Sequence, residues 1–180
     1  MGMQVQIHDK QFSLFIPADF ILDEVESLAK KLEVDYRGKN PIFLVVLNGA
    51  FMFASDLLKF YEGSCDISFT KLSSYKGLSS TGKVDKQMEI LIDITDRHVI
   101  VVEDIVDTGL TIECLTDNLK KLNPASIEIC TLLFKPEPFK GNIPPKYQGF
   151  VIPNKFVVGY GLDYNERGRN LKDLYQLKEK

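Results

Sequence analysis

Apolar residues along this chain recur in two periods. Ile21, Val25, Leu28 and Leu32 are spaced four, three and four apart, so a helix that Pro17 and Asp19 open carries them on one face. "YRGKNP", Tyr36 to Pro41, ends that helix. "IFLVVL", Ile42 to Leu47, has no polar break and reads as a strand buried on both faces. Asn48 and Gly49 turn the chain into "AFMFASDLLKFY", a second helix, and "CDISFTKL" follows as a strand. "VDKQMEILIDI" predicts another strand region, and "HVIVVE" a central one. Ile112, Leu115, Leu119 and Leu122 mark a third helix, and "SIEICTLLFK", Ser126 to Lys135, a further strand. The opening "QVQIHDKQFSLFI" alternates and predicts a short strand pair; "PEPFKGNIPPKY" is a Pro- and Gly-rich connection. Strands alternating with helices predict an α/β fold, a mainly parallel sheet flanked by helices, with ligands beyond the carboxyl ends of the strands.

Composition narrows the function. A chain of 180 residues suits one domain with a sizeable core. Its net charge of −3 argues against nonspecific binding to nucleic acid or anionic membrane. No apolar run spans a bilayer, and "MGMQVQIHDK" lacks the pattern of a signal peptide, so a cytoplasmic protein is expected. Cys65, Cys114 and Cys130 are far apart and only two histidines accompany them, which disfavours zinc and a disulfide framework.

The chemistry gathers in "HVIVVEDIVDTGLTI". A buried strand there ends in Glu103 and Asp104, and Asp107 follows, where repulsion and desolvation are both costly. A cation, or a ligand rich in hydroxyls and phosphate, would offset that cost. Gly109 permits a tight turn, Thr108 and Thr111 add hydroxyls, and the free amides of a starting helix attract a monoester phosphate. Adjacent carboxylates suit a ribose diol, magnesium, or both. The loop alone therefore points to a phosphorylated sugar.

"VVEDIVDTGLT" resembles the motif that binds 5-phosphoribosyl 1-pyrophosphate in type I phosphoribosyltransferases. "VLNGAFMFASDL" is similar to that family's pyrophosphate loop and following helix, and "LSSYKGLSSTG" to its mobile active-site loop. "TLLFK" matches the strand that ends in the purine-binding lysine, and "GFVIPNKFVVGYGLDYNERGRNL" the hood of the hypoxanthine-guanine subfamily. The resemblance implies the type I phosphoribosyltransferase fold in a single domain. Its core would span about 36–135, its hood about 1–16 and 136–180, and its mobile loop about 73–83. It implies transfer of the 5-phosphoribosyl group to N9 of hypoxanthine, and of guanine, releasing pyrophosphate and forming IMP or GMP in purine salvage. Mg2+ would be the cofactor and a homodimer or homotetramer the assembly.

Residue roles follow from the same resemblance. Glu103 and Asp104 would hold the ribose hydroxyls and magnesium, and Asp107, as the catalytic base, the proton on purine N7. Asp, a preferred N-cap type, would also suit the helix start there. Asp107, Thr108, Gly109, Leu110 and Thr111 would cradle the 5-phosphate. Lys135 would donate to purine O6, Phe156 would stack on the base with Ile105 opposite, and Val157 would offer backbone groups to the pyrimidine edge. Asp163 would reach a second magnesium or the base edge. Leu47, Asn48, Gly49, Ser74, Tyr75 and Arg169 would surround pyrophosphate, with Arg167 a rival to Arg169. Asn48 stands where the family often has lysine, which leaves backbone amides as the loop's main offering; the Leu47–Asn48 peptide would be cis in the ligand-bound form. Two other classes compete. A nucleic-acid-binding regulator with the same sugar-phosphate pocket would need a basic face or an added domain, and a receiver-type acidic pocket would not account for D-T-G-x-T.

Overall fold

The computed structural model describes residues 3–71, 91–142 and 144–178. Its centre is a five-stranded parallel sheet. The strands are β3 (Ile42–Leu47), β4 (Asp66–Lys71), β5 (His98–Val106), β6 (Ser126–Phe134) and β7 (Tyr147–Val151), in the order β4-β3-β5-β6-β7. The chain runs from β3 outward to β4, then returns to the other side of β3 for β5. Such a reversal leaves a crevice beyond the carboxyl ends of β3 and β5, where open α/β sheets bind ligands. Both apolar runs that predicted buried strands occupy these two places.

Helices cover both faces. α1 (Ala18–Asp35) and α2 (Phe51–Phe60) pack on one side. Ile21, Val25, Leu28 and Leu32 are buried there beside Phe43, Phe53 and Val102. α3 (Leu110–Lys120) covers the other face, with Ile112, Leu115 and Leu119 buried against Leu44, Val99 and Val101. Leu122, predicted to continue that face, lies past the helix end and is exposed. The chain turns there, so the period no longer applies.

A second, four-stranded sheet in the order β1-β2-β9-β8 is antiparallel. It joins β1 (Gln4–Ile7) and β2 (Lys10–Ile16) to β8 (Val157–Val158) and β9 (Leu174–Leu177). The expected strand pair at the start is thus half of a sheet whose other half comes from the far end of the fold. Asp173 extends this link. α1 has Pro17 at its N-cap position and no side-chain cap of its own. The amide of Ala18 instead donates to Asp173 Oδ1 at 2.8 Å.

Two sequence expectations change. β7 joins the parallel sheet beside β6, so the core sheet runs beyond residue 135. Leu91–Ile94 form no strand; Ile94 is buried under the α3 face instead, and the rest of "VDKQMEILIDI" lies outside the described residues.

Candidate active site

The crevice is built from the ends of β3, β5 and β6. β5 delivers Glu103 and Asp104 at its carboxyl end, Asp104 buried and Glu103 half-buried. Desolvation pushes the Asp104 carboxyl up to about 6, opposed by the Ile105 amide that donates to its Oδ1 at 2.9 Å, and by the nearby Arg169 charge. Burial, and then the Asp104 charge, raise Glu103 as well. Among the described residues Glu103 Oε2 is buried without a hydrogen-bond partner. A buried, unpartnered carboxylate oxygen is costly unless a ligand meets it. No three His, Cys, Asp or Glu side chains among the described residues form a cation cage. Glu103 and Asp104 are the carboxylates here that could hold magnesium, which takes one or two carboxylates and completes its shell with water and phosphate oxygens.

Beyond these acids the strand turns through Asp107 and Thr108 into α3. Gly109 is the N-cap, with φ of +81° and no side chain to cap with, and Thr108 Oγ1 accepts from the Leu110 amide at a long 3.5 Å. The first intrahelical bond runs from Glu113 N to Gly109 O, 2.9 Å, so the amides of Leu110, Thr111 and Ile112 face outward. Asp107 is therefore no N-cap. Its Oδ2 instead accepts from Lys135 Nζ at 3.1 Å. Lys135, one residue past β6, is buried, and its own amide donates to Val106 O at 3.0 Å. The two backbones are clamped together, so the ammonium and carboxylate meet at the edge of the crevice.

The loop after β3 supplies the opposite wall. The Leu47–Asn48 peptide is cis. Gly49 lies so close to Asp104 that an added Cβ would sit 1.7 Å from its Oδ2. Gly161, with φ of +100°, lies equally close on the other side: its Cβ would fall 2.0 Å from Gly49 O. Arg169 locks this stack, with Nη1 donating to Gly161 O at 2.9 Å and Nη2 2.6 Å from Asp163 Oδ1. Arg167 is exposed and meets Tyr164 through its backbone, so of the two arginines Arg169 is the one at the crevice.

Phe156 is 46% exposed, enough to leave a ring face for a ligand. Phe12 tilts against it at 6.3 Å and Tyr164 stands perpendicular at 5.9 Å. Val157 is buried, so it has only backbone to offer, and Ile105 is half-buried against the core. Asp163 also accepts from the Glu166 amide at 2.7 Å. Ser74 and Tyr75 lie outside the described residues. Two contributors had no sequence signal of their own. Tyr160 OH donates to Asp56 Oδ2 at 2.6 Å, fixing the turn that carries Gly161 to α2. Phe139 lies behind Gly109. The doubled glycines of "VGYGL" were the one hint of close approach.

Comparison with known proteins defines the class. The phosphoribosyl transferase domain model matches residues 18–165, and the chain belongs to that family. A hypoxanthine-guanine phosphoribosyltransferase of Streptococcus pneumoniae (strain ATCC BAA-255 / R6) is 42% identical over 167 residues, covering 92% of this chain and 93% of its own. A hypoxanthine-guanine-xanthine phosphoribosyltransferase of Tritrichomonas foetus is 41% identical over 162 residues, 89% of this chain and 88% of its own. The crystal structure of a hypoxanthine phosphoribosyltransferase from Staphylococcus aureus superposes with a TM-score of 0.86 at 38% identity, covering 98% of each chain.

Proposed function

We propose that this protein transfers the 5-phosphoribosyl group of 5-phosphoribosyl 1-pyrophosphate to N9 of hypoxanthine, and of guanine, forming IMP or GMP. The Lys135–Asp107 pair carries the reading. A 6-oxopurine presents an acceptor, O6, beside an N7 proton, and an ammonium beside a carboxylate complements that edge. Adenine presents an amino donor in place of O6 and would confront the lysine with a second donor.

In this reading the base lies on the Phe156 ring, opposite Ile105, with the Val157 backbone at its pyrimidine edge. Asp107 takes the N7 proton while the N9 lone pair forms the bond to C1′ and the bond from C1′ to pyrophosphate breaks. The amides of Leu110 and Thr111 at the start of α3, with Thr108 and Gly109, hold the 5-phosphate. Glu103 and Asp104 hold the ribose hydroxyls. They would also hold magnesium, with Asp163 serving a second ion, and the metal neutralises charge on the leaving pyrophosphate. Backbone amides around Leu47, Asn48 and Gly49, together with Arg169, bind that group, and Ser74 and Tyr75 exclude water from the reacting centre. The four-stranded sheet is the hood over the base. The protein works in the cytoplasm as a homodimer or homotetramer.

The test is a nucleotide-formation assay with hypoxanthine, guanine, xanthine and adenine, with and without magnesium. IMP should form only when donor and magnesium are both present. No product with any 6-oxopurine would refute the activity, and full activity after thorough chelation would refute the metal.

A further inference from the structure

Lys135 and the phosphate loop are joined by a strap with no role assigned so far. After β6 the chain leaves Lys135 and runs back over the start of α3, where Lys140 N donates to Thr108 O at 3.0 Å. The side chain this strap lays down is Phe139. Its ring fills the space that a side chain on Gly109 would need: an added Cβ would sit 2.5 Å from Cε2. Gly141 presses on the same ring, with a Cβ position 2.6 Å from Cζ and 3.0 Å from Cε2. Phe134, the last residue of β6, meets it edge to face at 5.2 Å. Toward α3 the ring borders a cavity of about 490 Å³, also lined by Ile112, Thr116, Ile127 and Ile129. Contact on the glycine sides and open space on another mean that Gly109 and Gly141 together set where the ring stands.

Gly109 is where this matters. Its φ is left-handed, and the local side-chain contact to the first amides of α3 is long, Leu110 N donating to Thr108 Oγ1 at 3.5 Å, so local contacts hold their direction weakly. We propose that Phe139 is a positioning residue that braces Gly109 from behind and so aims the amides of the phosphate loop at the 5-phosphate of the ribosyl substrate. This rests on the reading of residues 107–111 as the phosphate site. The chemistry follows from hydrogen-bond geometry: amide bonds to a phosphate oxygen weaken steeply as they bend, and residues 107–111 include no cationic side chain to compensate. A displaced loop would lose phosphate affinity and leave the base subsite, held by Lys135 and Phe156, intact.

Titration calorimetry of the full chain with IMP and with inosine separates the two readings, because the ratio of their dissociation constants isolates the phosphate. In the parent IMP should bind much more tightly than inosine; equal affinity would refute the phosphate-loop reading itself. Phe139→Ala should reduce the ratio by about tenfold, the scale of one or two weakened hydrogen bonds to a charged group, with inosine affinity unchanged. Gly141→Ala keeps the ring and crowds its Cζ and Cε2, which displaces it, so it should lower the ratio too. Phe139→Leu should recover part of it. A folded Phe139→Ala protein with the parent ratio would overturn the proposal. So would equal losses for IMP and inosine, which mark general loosening. If Phe139→Ala does not fold, Gly141→Ala and Phe139→Leu decide on the same ratio.

Discussion

At the scale of single residues, the crevice concentrates charges that the free protein holds at a cost. Asp107 and Lys135 satisfy each other, so replacing one changes both. Asp107→Asn keeps the size and removes the proton acceptor. It should lower kcat by about 10²–10⁴-fold with a small change in donor KM, measured in steady-state assays. A near-normal kcat would reduce Asp107 to a partner for Lys135. Asp104 leads to a pH effect. Its folded carboxyl stands at about 6 because of burial, above the roughly 3.9 of an unfolded aspartate. Between these values the folded chain binds more protons than the unfolded one, so this group makes stability fall as pH rises through about 6. Glu103, raised for the same reason, acts in the same direction. Urea midpoints in chelator should therefore be higher at pH 5.5 than at pH 8, and Asp104→Asn should shrink the difference. A wild-type midpoint that climbs steadily to pH 8 would contradict the buried pair.

At the scale of elements, the local signals were sound where the contacts were local. The run "HVIVVED" states a buried strand with an acidic end, and Ile21, Val25, Leu28 and Leu32 state a helix face, because both periods record burial against one neighbour. The D-T-G-x-T loop was legible for the same reason: glycine and free amides are consequences of the turn itself. What the sequence left silent depends on distant chain. The cap of α1 comes from Asp173, and no window around Pro17 contains it. The brace behind Gly109 is a phenylalanine in a Pro- and Gly-rich connection that reads as plain loop. β7 follows that loop with a mixed pattern, since only Tyr147 among its five residues is buried. Asp173→Ala should test the long-range cap. Loss of a cap costs about 1 kcal/mol, and the Tyr175 hydroxyl also donates to Asp173, at 3.2 Å. A fall in the denaturant midpoint with little change in the donor and base KM values is the expected result. An unchanged midpoint would show that α1 needs no cap.

At the scale of the whole molecule, the two sheets share a buried core, and at the crevice they meet through two glycines with no room for a Cβ. Gly161 rests on Gly49 and Gly49 on Asp104, while Tyr160 and Arg169 pin the turn from either side. Contacts this close have no slack, so the hood and the parallel sheet share one register at the crevice. The smaller sheet also has an order of manufacture. β1 and β2 leave the ribosome before the parallel sheet, and β9, the partner of β2, after some 160 residues have followed β2, as the pairing of Phe12 with Leu177 requires. The acidic strand and phosphate loop are thus made before the strand that completes the hood. Translation delivers the sugar-phosphate half of the crevice before its lid is complete, and a nascent chain paused before Leu174 holds β1 and β2 as a hairpin waiting for an edge.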